Sequence, residues 1–162
     1  MSDPRQSRPT RILLFGATSA VGAHLLPLLL ARGWPITAVT RQDPGRLQAL
    51  YPQNDWIQAA LPDAPAADVA VTHVLSLGPC DAFVDWLTRQ PPGGALRQII
   101  AFGSTSADTK ADSPSDRERA LAASLRRSEA RLAQECTRLN ATWTLLRPTL
   151  IYGEIGRASC RE

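Results

Sequence analysis

Residues 15–22 read FGATSAVG. They continue the apolar run RILLF at 11–15, with which they share Phe15. A short apolar run of this kind is typical of a strand buried on both faces. The nearly apolar stretch 19–33, which ends in glycine, is typical of a buried helix. A glycine-rich turn between such a strand and such a helix is a common phosphate-binding site. Gly16 would permit the tight turn, and Gly22 would permit close packing of the helix against the sheet.

The turn departs from the usual glycine spacing at one position, Ser19. A serine leaves less room than glycine for the backbone to approach a ligand closely. Its hydroxyl, however, can bond a phosphate or cap the helix. Two interpretations remain open at this point: a nucleotide site with one departure, or a plain strand-to-helix turn that contains two glycines.

The rest of the chain alternates apolar, strand-like runs with segments of helical periodicity. This alternation predicts parallel βαβ units in an α/β fold, with a doubly wound parallel sheet. Pro27 is expected to kink the first helix. The later predicted strands are 35–41, 55–59, 68–78, 96–103 and 141–148, and the later predicted helices are 44–50, 80–89 and 115–139.

The long helix predicted at 115–139 has an apolar face and a charged face. Its arginines alternate with glutamates, which is typical of a solvated helix surface and argues against a nucleic-acid partner. The apolar side chains recur at steps of three or four residues or multiples of them. They predict a buried face made of Leu121, Leu125, Leu132, Cys136 and Leu139.

The composition fits one soluble domain. The 162 residues are 44% apolar and 20% charged, with a formal net charge of +3. Cys80, Cys136 and Cys160 have no paired spacing, so neither a disulfide framework nor a metal site is predicted. The polar N-terminus lacks a signal peptide, and no apolar run is long enough to span a membrane. We therefore expect a reduced, cytoplasmic protein with no membrane partner.

Two stretches of the sequence carry a resemblance to a known family. Residues 11–41 are similar to the opening of the short-chain dehydrogenase/reductase superfamily, in its extended or atypical branch of epimerase/dehydratase-like proteins. The turn of that family usually reads Gly-Ala-Thr-Gly-x-x-Gly. WTLLRPTLIYG at 143–153 resembles the family's sixth strand and the loop after it. The resemblance implies an NAD(P)-binding Rossmann fold with strand order 3-2-1-4-5-6. It also implies that the cofactor-binding turn consists of Gly16, Ala17, Thr18, Ser19, Ala20, Val21 and Gly22.

The residue that ends the second strand bears on the choice of cofactor. In this fold an acidic residue there selects NAD, whereas a nearby arginine accommodates the extra phosphate of NADP. AVTRQ at 38–42 places Arg41 at this position. The preferred cofactor is therefore NADP, with NAD as the alternative, although Arg41 also fits an ordinary solvated strand end. After the third strand, the family often has an Asp-Leu pair that touches adenine, and this chain departs from it with Ala60 and Leu61.

The family's catalytic Tyr-x-x-x-Lys pair does not occur in these 162 residues. The two tyrosines, Tyr51 and Tyr152, have no lysine four positions later. Leu121 and Leu125 align with the family's tyrosine and lysine. The resemblance leaves Thr105, with its neighbour Ser104, as a candidate for the serine or threonine that holds a substrate hydroxyl. A polar loop without a catalytic role is at least as good an interpretation of these two residues.

The two ends of the chain are expected to lie outside the domain. Residues 1–10 are predicted to be a disordered lead-in, and 11–153 the NAD(P)-binding domain. Residues 154–162, EIGRASCRE, match the translation of a sequencing adapter and are predicted to be a non-native tail on a truncated sequence. Three hypotheses remain: part of an atypical reductase or epimerase acting on an unidentified small molecule, a non-catalytic NADP-binding sensor or assembly module, or an inactive fragment.

Overall fold

A six-stranded parallel sheet forms the centre of the fold in the computed structural model, which describes residues 9–149. The strands are β1 (Ile12–Phe15), β2 (Ile36–Thr40), β3 (Asp55–Gln58), β4 (His73–Ser76), β5 (Gln98–Phe102) and β6 (Thr142–Leu146), and the helices are α1 (Ala20–Leu30), α2 (Gly45–Leu50), α3 (Cys80–Thr88), α4 (Ser106–Thr109) and α5 (Asp116–Arg138). The strand order is β3-β2-β1-β4-β5-β6, and every neighbouring pair is parallel. The predicted doubly wound α/β sheet is confirmed.

The ends of the chain bear on two of the predictions. Most of the lead-in predicted at 1–10, and all of the tail predicted at 154–162, lie outside the described residues. Within the described range, no helix is long and apolar enough to cross a membrane.

Strand β1 lies at the centre of the sheet, and both of its faces are covered. Leu13 and Phe15 belong to the core cluster that also contains residues of α3 and α5. Ile12 and Leu14 belong to a second cluster, on the α1 side. All four side chains are at most 4% exposed. This two-sided burial explains why the sequence of β1 is continuously apolar instead of alternating.

Helix α5 follows the predicted apolar pattern except at Leu121, and Leu125 is only half-buried. Leu132, Cys136 and Leu139 are buried as predicted. The prediction was wrong for Leu121, which is 45% exposed, whereas the adjacent Ala122 is 1% exposed. Successive helical residues are separated by about 100° around the axis, so a buried stripe that passes through Ala122 turns Leu121 towards solvent.

Helix α1 continues through Pro27 to Leu30. Pro27 is exposed, so water can replace the backbone hydrogen bond that proline cannot donate. The chain then leaves the helix through Gly33, whose φ of +70° lies in the left-handed region that glycine adopts without strain. This exit returns the chain to β2, beside β1.

Candidate functional site

A cleft of about 400 Å³ opens at the carboxyl ends of strands β1 to β4. The connections leave β1 and β4 towards opposite sides of the sheet, and doubly wound sheets form their ligand crevice at such a reversal of strand order. Four segments, each following a strand, line the cleft: Phe15, Gly16, Thr18 and Ser19; Val39, Thr40, Arg41 and Gln42; Ala59, Ala60 and Leu61; and Leu77, Gly78, Pro79 and Ala82.

Gly16 begins the turn that leaves β1. Its φ is +82°, a left-handed conformation that a side chain would strain. A Cβ at this position would lie 3.1 Å from the Cβ of Leu77, which follows β4. The turn is closed by the N–H of Ser19, which donates to the Gly16 carbonyl oxygen at 2.9 Å. The backbone of Gly16 therefore borders the cleft at a point where a larger residue has no room.

Gly22 lies in the first turn of α1 and is buried. A Cβ there would lie 2.1 Å from the Gly16 carbonyl oxygen and 2.7 Å from the carbonyl carbon and oxygen of Ala17. The sequence pattern predicted that Gly22 lets the helix approach the sheet. In the structure the nearest atoms belong to the backbone of the turn itself, so Gly22 allows α1 to start directly against that turn.

We expect Gly22→Ala to disrupt the turn. The added methyl group overlaps backbone atoms that cannot move without displacing β1 or α1. Overpacking of this kind should cost about 2 kcal/mol of unfolding free energy or more. Urea unfolding followed by circular dichroism would measure the loss. Gly94→Ala is the matched control, since a Cβ there meets nothing within 4 Å, and equal stability of the two variants would contradict the prediction.

Ser19 is the N-cap residue of α1. Its backbone is extended, with φ of −69° and ψ of 166°, and the N–H of Gly22 donates to its Oγ at 3.0 Å. Of the two roles left open for this hydroxyl, the structure shows capping.

The other residues of the turn differ in exposure. The preceding Thr18 is exposed and lines the cleft, whereas Ala17 is buried. Ala20 and Val21 follow the cap, where the first amides of a helix have no acceptor within the helix.

The capping bond predicts different effects of two substitutions at Ser19. Ser19→Ala removes the acceptor and should lower the unfolding free energy by about 1 kcal/mol. Ser19→Gly restores the usual family spacing and should cost only a few tenths of a kcal/mol, roughly the difference between these residues as N-caps. Thermal unfolding of both variants would measure this order. A glycine variant that is less stable than the alanine variant would contradict it.

Arg41 follows the last residue of β2 and forms part of the cleft lining. Its side chain is exposed and lines the cleft. The N–H of Gln42 donates to Thr40 Oγ1 at 3.2 Å, which turns the chain at this point. Among the ion pairs of residues 9–149, none involves Arg41. The guanidinium is therefore an exposed positive charge at the rim of the cleft.

The opposite side of the cleft is apolar. After β3, Ala59 remains attached to the sheet because its N–H donates to the carbonyl oxygen of Thr40 at 2.9 Å. Ala60 and Leu61, at which the sequence departs from the family pattern, both line the cleft. The segment after β4 that begins at Leu77 was not predicted as part of the site. Its only signal in the sequence is a Gly-Pro pair, at 78–79, after an apolar run.

Ser104 and Thr105 are not among the residues that line this cleft. They follow β5, which is separated from β1 by β4. Ser104 Oγ accepts a hydrogen bond from the N–H of Ser106 at 3.2 Å, which fixes the start of α4. Thr105 is half-buried, and its carbonyl oxygen accepts from the Thr109 hydroxyl at 3.2 Å. Neither hydroxyl is therefore among the residues that line this cleft, and a role in holding a substrate stays a prediction.

An ion-pair network that was not predicted holds the chain after β6. The Arg147 guanidinium pairs with Glu129 of α5, whose side chain is 8% exposed, and donates to Asp108 Oδ2 at 2.7 Å. A Cβ on Gly103 would lie 2.6 Å from Glu129 Oε1, so this glycine makes room for the carboxylate. The network fixes the exits of β5 and β6 relative to each other. Pairs of this kind join residues far apart in sequence, which periodicity does not reveal.

The two described cysteines are packing residues. Burial raises the pKa of the Cys80 thiol to about 11, and the nearby negative charges of Glu129 and Asp81 act in the same direction. Burial likewise raises the pKa of Cys136 to about 12. Both thiols are therefore protonated at neutral pH, and neither is suited to act as a nucleophile.

No protein-family model and no curated protein matches this sequence. Solved structures do match. Gre2 from Candida albicans, in complex with NADPH, has a TM-score of 0.65 and 12% identity over 95% of this chain and 62% of its own. UDP-glucose 4-epimerase from Thermotoga maritima has a TM-score of 0.61 and 12% identity over 85% and 55%. ChuY, an anaerobilin reductase from Escherichia coli O157:H7, has a TM-score of 0.57 and 20% identity over 86% and 72%.

These neighbours are reductases and an epimerase of the short-chain dehydrogenase/reductase type. This chain shares their α/β Rossmann-like fold, with the predicted strand order. The chain spans about 60% of the length of several of the solved structures that it matches. At identities of 12% to 20%, the similarity establishes the fold alone.

Proposed function

We propose that the chain is the dinucleotide-binding part of an atypical short-chain dehydrogenase/reductase protein, and that it binds NADP(H) in the cleft at β1 to β4. The observation that carries this proposal is the pairing, within one cleft, of the Gly16 turn with the exposed positive charge of Arg41. The turn leads into the N-terminus of α1, where unpaired N–H groups and the helix dipole favour a pyrophosphate. Arg41 lies beyond β2, where the phosphate on the adenosine ribose of NADP would be held.

Comparison with known structures supports a nicotinamide dinucleotide as the ligand. Gre2 from Candida albicans and its yeast counterpart, a methylglyoxal/isovaleraldehyde reductase, are both complexed with NADPH. The preference for NADP over NAD depends on Arg41, because an acidic residue would be needed there to bind the ribose hydroxyls of NAD. The buried free thiols of Cys80 and Cys136 fit a reducing, cytoplasmic compartment.

A bound NADP(H) would supply hydride transfer, and the chain's own residues would bind and orient it. The proton transfer that accompanies hydride transfer in the family needs the Tyr-x-x-x-Lys pair, which these 162 residues lack. Leu121 is exposed and Leu125 is half-buried at the aligned positions of α5. Thr105 can orient a substrate hydroxyl, but a neutral hydroxyl is a poor acid or base at neutral pH.

A second candidate function is a non-catalytic NADP-binding module that acts as a redox sensor or an assembly partner. The leucines at the two aligned positions favour it over an active reductase or epimerase. Measurement of NADPH oxidation in the presence of candidate carbonyl substrates would separate the two, since a non-catalytic module would not oxidise NADPH. A fragment that folds poorly and has no activity is the third hypothesis, and cooperative unfolding of the 162-residue protein would contradict it.

Calorimetric titration of the 162-residue protein with NADPH, and separately with NADH, tests the proposed function. We expect saturable binding of NADPH and binding of NADH that is weaker by roughly tenfold or more, because Arg41 bonds the additional phosphate. The protein must be shown to unfold cooperatively under the same conditions. A folded protein that binds neither dinucleotide would contradict the proposal.

A further inference from the structure

Strand β6 forms one edge of the sheet, and among residues 9–149 it pairs with β5 alone. An edge strand presents backbone donors and acceptors to which another strand can bind, and proteins commonly protect such an edge with charged side chains or proline. The sequence of β6, TWTLL, contains neither. At the other edge of the sheet, β3 carries the exposed carboxylate of Asp55. The edge at β6 is therefore the less protected of the two.

This edge also exposes apolar surface on both faces of the sheet. Trp143 and Leu145 are registered with Ile99 and Ala101 of β5, which belong to the core cluster on the side of α3 and α5. Trp143 is nevertheless 42% exposed. Leu146 lies on the opposite face and is 45% exposed. The helices beside the sheet thus leave the outer edge of β6 uncovered by the described part of the chain.

The backbone hydrogen bonds show which groups of β6 face the free edge. The N–H of Thr142 donates to the carbonyl oxygen of Arg97 at 2.8 Å, and the carbonyl oxygen of Leu146 accepts an N–H from the loop after β5 at 2.8 Å. The even-numbered residues of β6 therefore turn their backbone groups towards β5. Because these groups alternate in direction along a strand, those of Trp143 and Leu145 point away from the sheet.

We propose that two copies of this chain pair through β6, antiparallel and related by a two-fold axis that passes between their Thr144 residues. The axis is perpendicular to the sheet, so side chains keep the same face in both copies. Trp143 then lies beside Leu145 of the second copy, and Thr144 lies beside its own equivalent. Each outward N–H of Trp143 and Leu145 donates to an outward carbonyl oxygen across the interface. The two sheets join into one continuous sheet.

The residues of β6 are complementary to themselves in this arrangement. Two threonines directly opposite each other form a favourable cross-strand pair, and Trp143 packs against an apolar neighbour. Arg147, the first charged residue after the strand, falls opposite Ala141, and its guanidinium is already paired with Glu129. A parallel pair would instead place two arginines side by side. Self-complementarity under a two-fold axis, the commonest symmetry of protein dimers, makes a second copy the partner that this edge fits.

The short length of β6 limits the strength of the contact. Interfaces smaller than about 1,200 Å² are typical of transient complexes, so we expect a dissociation constant on the order of 10 to 100 μM. No residue of β6 lines the cleft at β1 to β4. Both clefts of the dimer therefore remain open, and the dimer does not depend on the proposed function.

Sedimentation equilibrium of the 162-residue protein, at concentrations from roughly tenfold below to tenfold above this range, tests the proposal. We expect the mean mass to rise from that of one chain to that of two. A single-chain mass at every concentration would overturn the proposal. Assemblies larger than two chains would also overturn it, since a two-fold contact closes on itself.

Two opposite charges at Thr144 test the position of the axis. Thr144 is exposed, so both Thr144→Lys and Thr144→Glu should fold. Each variant alone should raise the dissociation constant by roughly fivefold or more, because like charges would lie directly opposite each other. An equimolar mixture of the two should dimerise again, with a lysine opposite a glutamate. A dimer that persists in either variant alone, or a mixture that stays monomeric, would overturn the proposal.

Gln58→Lys is the matched control, because it adds the same charge at an exposed position of the other edge strand, β3. Its dissociation constant should equal that of the unaltered protein, and an equal rise in both lysine variants would attribute the effect to net charge and overturn the proposal.

Hydrogen exchange adds a readout at single residues. The amides of Trp143 and Leu145 should become more protected as concentration rises, whereas that of Thr142, bonded within the chain, should not change. Equal behaviour of all three amides would overturn the proposed pairing.

Discussion

Replacement of Gly16 by valine is expected to weaken NADPH binding by roughly 100-fold or more, which corresponds to about 3 kcal/mol of binding free energy. The backbone of Gly16 borders the cleft, and its φ of +82° is a left-handed conformation that β-branched residues rarely adopt. The Cβ of the new side chain would lie 3.1 Å from Leu77 Cβ. Its methyl groups would crowd Leu77 and Gly78, which line the same cleft.

Strain alone could lower the stability of this variant, so the experiment needs a control with the same strain. Gly93 has a φ of +85°, and a Cβ there meets nothing within 4 Å. Gly93→Val should therefore be destabilised by about 1–2 kcal/mol through its backbone, as Gly16→Val is, but should keep its affinity for NADPH. Calorimetric titration of the two variants, below their unfolding temperatures, would measure the difference. Unchanged affinity in Gly16→Val would remove the turn from the proposed site.

The fold could be predicted because its determinants are local. The apolar run of β1, the turn at Gly16 and the helix after it lie within one short stretch of sequence, and strand–helix alternation continues this pattern through the chain. Burial of β1 on both faces is what a continuous apolar strand predicts, and both core clusters show it. The strand order follows from this alternation together with the family resemblance, and it is confirmed.

The candidate site could be predicted only in part, because it combines segments that are distant in sequence. Arg41 and Gly16 were recognised from the position of each relative to one strand. The apolar side at Leu61 and Leu77 depends on which strand ends are neighbours, and their small or aliphatic side chains carry no chemical signal of their own. The sequence likewise did not indicate that Ala122 is buried in place of Leu121, because leucine is the more hydrophobic of the two residues.

Replacement of Arg41 by aspartate is expected to reverse the preference between NADPH and NADH. The guanidinium can form two charge-assisted hydrogen bonds with a phosphate, and a carboxylate would instead repel it. The same carboxylate could accept hydrogen bonds from the ribose hydroxyls of NADH. We expect NADPH affinity to fall by roughly 100-fold, a loss typical of a charged pair that becomes repulsive, while NADH affinity stays equal or rises.

The control for Arg41→Asp must carry the same change of net charge outside the cleft. Arg117, exposed in the first turn of α5, is not among the lining residues. Arg117→Asp should keep the original ratio of NADPH to NADH affinity, since exposed charges separated by more than a Debye length, about 8 Å at physiological salt, are largely screened. Titrating both variants with both dinucleotides gives this ratio directly. A ratio that Arg41→Asp leaves unaltered would show that another group holds the phosphate, whereas an equal shift in Arg117→Asp would attribute the effect to net charge.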